Sequence, residues 1–240
     1  MWLPLVAVAA LATIQSIFGV GLLMIGTPIL LLLGYTYDEA LSFLLPSSIV
    51  ISALQLIPNH NIKLNLLPYF CIFGLPLVAM GVYAHYFEYS TFNFKLIIGF
   101  MLVISALLRM TKLFNDFLKR AAREHDKIFI MASSFVHGLT NMGGALLSIW
   151  ASYRGDSKLQ IRTIIAQGYI LFASTQLFLM IFFEKFQITT LTFLLPLFAL
   201  ISYAIIGRYV FNRVNAQSFN WLLSSFMLCI GLYVIFKSID

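Results

Sequence analysis

A chain of 240 residues with 61% hydrophobic and only 10% charged residues, at a mean hydropathy of +0.94, excludes a soluble domain with a water-facing surface. The formal net charge of +6 then reads as basic connections held at an anionic cytoplasmic face rather than as a nucleic-acid surface. The composition is that of an all-α integral membrane protein.

A bilayer core about 30 Å thick takes about 20 apolar residues per helix. The sequence predicts apolar segments at 2–34, 39–57, 66–87, 93–111, 128–153, 159–183, 188–207 and 217–236. All are expected to be helical, because the period-two alternation of a membrane barrel is absent. The first opens with MWLPLVAVAALATIQSIF, which has no basic residue and no small-residue cleavage site, so it is expected to stay in the membrane. It continues as GVGLLMIGTPILLLLGY, where Gly19, Gly21, Gly26 and Pro28 interrupt a stretch apolar enough to span. In the second segment Ser48, Ser52 and Gln55 follow helical spacing and turn one polar face inward. The polar stretch 109–127 divides the chain into a first membrane repeat, 1–111, and a second, 128–240. Residues 112–127 read as a basic cytoplasmic connecting loop. The fifth segment carries His137, Thr140, Asn141, Gly143 and Gly144; the sixth carries Thr163, Gln167, Ser174 and Gln176. Cys71 and Cys229 lie in apolar runs and read as packing residues, with no disulfide framework, no metal site and no cofactor.

The halves superimpose as a degenerate repeat, with Gly21 and Gly26 over Gly138 and Gly143, Gln55 over Gln176, and Gly81 and Tyr83 over Gly207 and Tyr209. Internal repeats recur in secondary transporters, where substrate is held near the midplane between the halves. The interrupted first segment ending GTPILLLLGY, the second beginning DEALSFLLPSSI, the basic centre and the later HGLTNMGGALLSIW together resemble the sulfite exporter TauE/SafE family of membrane permeases, over essentially the whole chain. The resemblance implies a multi-spanning transporter, often of small sulfur-containing or carboxylate anions.

Charge placement separates two topologies. If eight segments cross, nine of the 15 Lys and Arg lie inside and six outside. If segments 2–34 and 128–153 each dip to the midplane and return, three true spans remain per half and the second half is inverted. Only Lys95, Lys185 and Lys237 then lie outside, against twelve inside, as the positive-inside rule asks. The inverted arrangement is therefore preferred, with the glycines and Pro28 at the apex of a re-entrant hairpin, irregular backbone being tolerated where it faces protein or a water-filled site.

Helical arms leaving such apices, roughly GTPILLLL and GGALLSIW, present unpaired N–H groups and partial positive charge to an anion. Glycine permits close approach of a ligand, and Pro28 suits a first helical turn. The candidate substrate-binding residues are Gly21, Gly26, Thr27, Gln55, His137, Thr140, Asn141, Gly143, Gly144 and Gln176, for a small anion such as sulfite, an organosulfonate or a short carboxylate. The same glycines also fit plain helix packing. His137 is the titratable group deepest in a segment, open to a structural or a proton-relay reading, whereas His60, His85 and His125 near segment ends read as solvated. Lys158 and Arg162, four residues apart at the start of a span, suit either anion steering or orientation anchoring. A membrane-embedded enzyme would need a nucleophile with its base or a cluster at ligand spacing, and a scaffold subunit a larger soluble surface; neither is visible. The expected partners are the small anion and the lipid bilayer, with no nucleic acid; a homo-oligomer is compatible with the sequence. The expected location is the cell membrane, multi-pass, which is the inner membrane if the source is Gram-negative.

Overall fold

The computed structural model describes residues 2–57, 66–88, 94–213 and 216–239, and every regular element among them is helical. In chain order these are α1 Trp2–Phe18, α2 Leu22–Leu32, α3 Tyr37–Leu56, α4 Leu67–Phe73, α5 Leu75–Tyr83 with a π turn Ala84–Glu88, α6 Phe94–Met110, α7 Lys112–Glu124, α8 Asp126–Thr140, α9 Gly144–Arg154, α10 Lys158–Phe182, α11 Thr190–Ser202 with a π turn Tyr203–Gly207, α12 Arg208–Arg213 and α13 Ala216–Ile239. The stretch read as a connecting loop holds helix α7. Lys63 and His60 lie outside the described residues, as do the side chains of Lys95, Arg109, Lys112, Arg208 and Arg213.

The chain is turned inside out relative to a soluble protein. Phe178, Phe182, Ile188 and Phe193 are exposed, while Gln15, Ser48, Gln55, His137 and Asn141 are fully buried. An outer surface of large apolar side chains needs lipid. Tyr37–Leu56, Lys158–Phe182 and Thr190–Gly207 are long and apolar enough to cross it, and Leu67–Phe73 with Leu75–Phe87, bent by 42°, make a fourth if taken as one span. Polar caps mark helix starts: Thr36 Oγ1 accepts from the Glu39 N–H at 3.2 Å while the Thr36 N–H donates to Glu39 Oε2 at 2.7 Å, and Ser157 Oγ accepts from the Gln160 N–H. Cys71 and Cys229, read as packing residues, are both exposed on the outer surface.

Two helices long enough to span form the centre, α3 against α10, and α6 packs along α13. The bent pairs are exchanged around them: α5 packs on α8, and α11 packs on α1. Small residues permit these approaches. A side chain on Gly81 would strike the backbone of α8 at Phe135 and Leu139, and one on Gly207 would strike Ser16 of α1. Gly138, which faces Val78 and Val82, is thus a crossing point between α5 and α8.

Both interrupted segments fold back on themselves. In the first, a side chain on Gly26 would meet Leu11 and one on Gly21 would meet Ile14, so α2 returns along α1. In the second, the first residue of α8 reaches the far end of α9. Asp126 accepts from Trp150 Nε1 at 2.6 Å and, on both oxygens, from Arg154 Nε at 3.2 Å and Nη2 at 2.6 Å. Tyr69 Oη of α4 donates to the same carboxylate. The Arg154 guanidinium also lies 4.8 Å from the centre of the Trp150 ring and 5.3 Å from that of Tyr69.

Burial works to raise the Asp126 pKa, but hydrogen bonds from Tyr69, Arg154 and Trp150 outweigh it and hold the carboxyl below its ordinary value. A depressed carboxyl stabilises the fold fully above its unfolded value, about 3.9, and loses that contribution as pH falls through the lower folded value. Asp126→Asn is therefore expected to melt earlier than wild type in detergent at pH 7, by about 1–2 kcal/mol once solvent screening at this partly exposed cluster is discounted. The gap should narrow below about pH 4; a gap independent of pH would remove the carboxylate from this role.

Candidate functional site

The two breaks share one backbone solution. Each begins with a residue in the left-handed region, Gly19 at φ 75° and Asn141 at φ 62°, and each ends at an eleven-residue helix, α2 or α9. Gly21, at φ 144°, can be held only by glycine. Asparagine is the side chain that tolerates this region best after glycine, which is why Asn141 can end α8. The apex of the first segment is therefore Gly19–Val20–Gly21, not Gly26 and Pro28. Those two lie inside α2, where the bare face of Gly26 is filled by Leu44. Gly21 lies in the first break and Gly26 inside α2, whereas Gly138 lies inside α8 and Gly143 in the second break, just before α9.

Other positions fall at matching distances from their helix caps and breaks. Gln55 and Gln176 each lie nineteen residues past the cap of their helix, Thr36 or Ser157. Gly81 and Gly207 each cross the opposite bent pair three residues before its left-handed residue, at Gly138 and Ser16. One residue earlier stand Gln15 and His137, both fully buried.

The two apices meet. Asn141 Nδ2 donates to Thr27 Oγ1 at 2.9 Å, joining residues 114 apart in sequence, and Val20 lies against Gly144. Thr27 is in the second turn of α2, so the tips pass one another rather than touching end to end. Asn141 Oδ1 has no partner among the described residues. Thr140 Oγ1 donates to the Val136 carbonyl at 2.8 Å and accepts from the Met142 N–H at 3.3 Å; Ser133 Oγ donates to the Gly143 carbonyl at 2.9 Å.

The long helices α3 and α10 line the breaks. At the first, Gln15 Nε2 donates to Ser48 Oγ at 3.0 Å, and Gln55 Nε2 donates to the Gln15 carbonyl at 2.7 Å. The Gln15 carbonyl, in the last turn of α1, also accepts the Gly19 N–H at 2.7 Å, so the Gln55 amide adds a second donor where the helix ends. At the second, His137 packs against Tyr169 and Phe172, ring centres 5.7 and 5.3 Å away, and both of its nitrogens are buried without a partner among the described residues. A side chain on Gly144 would strike the Tyr169 hydroxyl, and one on Gly143 would strike the Ser133 carbonyl. In this conformation these glycines admit protein groups, so a larger residue there tests packing as much as ligand space. Gln176 is buried beside the Tyr37 hydroxyl, away from the meeting point.

Sequence reasoning missed Gln15, Ser16 and Tyr169, and it named Arg162 for steering or anchoring without finding its burial. Lys158 is exposed, but Arg162, one turn deeper, is 6% exposed. Its Nη1 donates to the Ser16 carbonyl at 3.1 Å, and its guanidinium lies 3.8 Å from the centre of the Phe211 ring. His85, expected to be solvated, is half-buried with its ring 4.4 Å from that of Tyr37. No group of three or more His, Cys, Asp or Glu able to hold a metal occurs among the described residues.

Interrupted segments that meet inside a helical membrane protein are a recurring feature of membrane transporters. The family model described as Sulfite exporter TauE/SafE matches residues 3–234. The chain belongs to that family of transmembrane transporters. Comparisons with curated proteins and with solved structures found no match.

Removing the bridge between the tips separates its two contributions. Asn141→Gly keeps the left-handed backbone and loses only the bond to Thr27, and is expected to cost about 0.5–1.5 kcal/mol in a detergent melt. Asn141→Ala adds left-handed strain and should cost about 1–2 kcal/mol more; equal melts for the two variants would contradict the φ assigned here.

Proposed function

We propose that the protein carries a small anion, of the sulfite, organosulfonate or short-carboxylate kind, across the cell membrane through a site where its two helix breaks meet. The observation that carries this reading is the bridge from Asn141 to Thr27, with an unpartnered Asn141 Oδ1 and the start of α9 beside it. Freed backbone N–H groups with the positive end of a helix dipole favour an anion, and Thr27, Thr140 and Asn141 add neutral groups that can reorient toward it. Such a site releases what it binds.

We further infer two inverted repeats, each a re-entrant hairpin followed by three spans, with 1–111 and 128–240 as the repeating units and α7 on the cytoplasmic side. The matched left-handed residues, the paired Gln55 and Gln176, and the exchanged crossings at Gly81 and Gly207 support it. So does the return of α9 to the start of α8 at Asp126, because a hairpin with both ends on one side leaves three spans to follow. The charge asymmetry of twelve against three is then accounted for.

Purified protein in liposomes is expected to move at least one of sulfite, methanesulfonate and acetate above the protein-free rate, with Thr27→Val raising KM about three- to tenfold. Folded protein that moves none of the three would end the anion reading. For topology, Ser238→Cys should react with an impermeant thiol reagent on intact cells and Ser157→Cys should not, both in a background lacking Cys71 and Cys229. Labelling at 157 alone would restore eight crossings.

A further inference from the structure

The most unusual buried group is Arg162. Among the described residues no carboxylate lies within ion-pairing reach of it; the ion pair found there is Arg154 with Asp126. Guanidinium stays protonated in proteins, so a full positive charge sits 6% exposed. Its observed compensation is one carbonyl, that of Ser16, and one aromatic face, that of Phe211. Buried charges are ordinarily paired, because desolvation outweighs what a single neutral partner returns.

Its placement is specific. Ser16 is in the last turn of α1, and Ile165, one turn beyond Arg162 on α10, packs against Gly19 at the first break. The guanidinium therefore stands at the base of the first hairpin tip, facing the α1 terminus that Gln55 also approaches, at 3.4 Å from Nε2 to the Ser16 carbonyl. The bond to Ser16 uses Nη1. Nε, on the opposite edge of the fork, is buried with no partner among the described residues. Nε belongs to the edge, shared with Nη2, that receives two oxygens of a carboxylate or sulfonate side by side.

We propose that Arg162 is the charged anchor of the transported anion, taking a carboxylate, sulfonate or sulfite on its Nε edge while Nη1 keeps the Ser16 carbonyl. This rests on the anion-transport reading and deepens it, placing the positive charge at the first break and the neutral donors Thr27 and Asn141 at the meeting of the tips. The ligand class is an oxyanion rather than a halide, since the parallel N–H groups of the fork each meet a separate oxygen in near-linear geometry, whereas a single spherical ion has to share both at a bent angle. Lys158, exposed one turn away, lies on the approach from water.

The test is concentration-dependent flux in liposomes with sulfite, methanesulfonate and acetate, with chloride as competitor. Arg162→Gln is expected to raise KM at least about tenfold, the loss of a charge-assisted bond, and Arg162→Lys several-fold, since it keeps the charge without the fork. Chloride at the concentration of the transported oxyanion should compete weakly. Wild-type flux with an unchanged KM in Arg162→Gln overturns this assignment and leaves anion transport standing. Should that variant not reach the membrane, an unchanged KM in Arg162→Lys overturns it instead. Chloride competing as well as the oxyanion also overturns it, and a wild type that moves none of the three overturns both readings.

Discussion

A helix broken inside hydrocarbon frees backbone N–H and C=O groups that no water can satisfy, so each must find a partner in protein. This chain breaks two helices and answers the demand by burying the breaks against each other and against α3 and α10. The carbonyls at the end of α1 take donors from Gln55 and Arg162; the Gly143 carbonyl takes the Ser133 hydroxyl. The long helices are central for that reason. They bring side-chain donors and acceptors to the depth at which the backbone is left open.

The same demand explains where small residues fall. Without a hydrophobic drive between helices in lipid, association relies on close packing. Gly81 over Gly138 and Gly207 over Ser16 let α5 and α11 press on the first arms of the opposite hairpins just before their breaks. Gly99 and Gly231 do likewise where α6 meets α13. Each hairpin is thus crossed, just before its break, by a helix distant in sequence.

Much of this was legible because polar groups and glycines are costly in an apolar run and seldom stand there without a reason. Gly19, Gly21 and Gly143 announced the breaks, and Ser48, Ser52 and Gln55 announced a buried polar face on α3. The first apex was misplaced because Gly26 and Pro28 look like breakers, while their helical state depends on Leu44 and Leu11 filling the bare face, which is tertiary information. Arg162 read as a steering or anchoring cation at a segment edge, four residues from Lys158, with no sign in the sequence that it is buried. Only its contact with Ser16, 146 residues earlier, shows otherwise. Tyr169 carried no signal at all, being one aromatic among many until it met Gly144 and His137.

The cluster on Asp126 has a mechanical meaning. It fastens the start of α8 to the end of α9 and both to Tyr69 of α4, at the end of the hairpin farthest from Asn141. With fifteen residues in α8, the arm from clamp to tip is about 22 Å. A rotation of about 5° at the clamp then carries Asn141 sideways by about 2 Å, enough to part a hydrogen bond while hardly disturbing the clamp. The bridge between the tips is thus as sensitive to angle as the clamp is insensitive to it, so the polar end of the hairpin sets the precision of its far end.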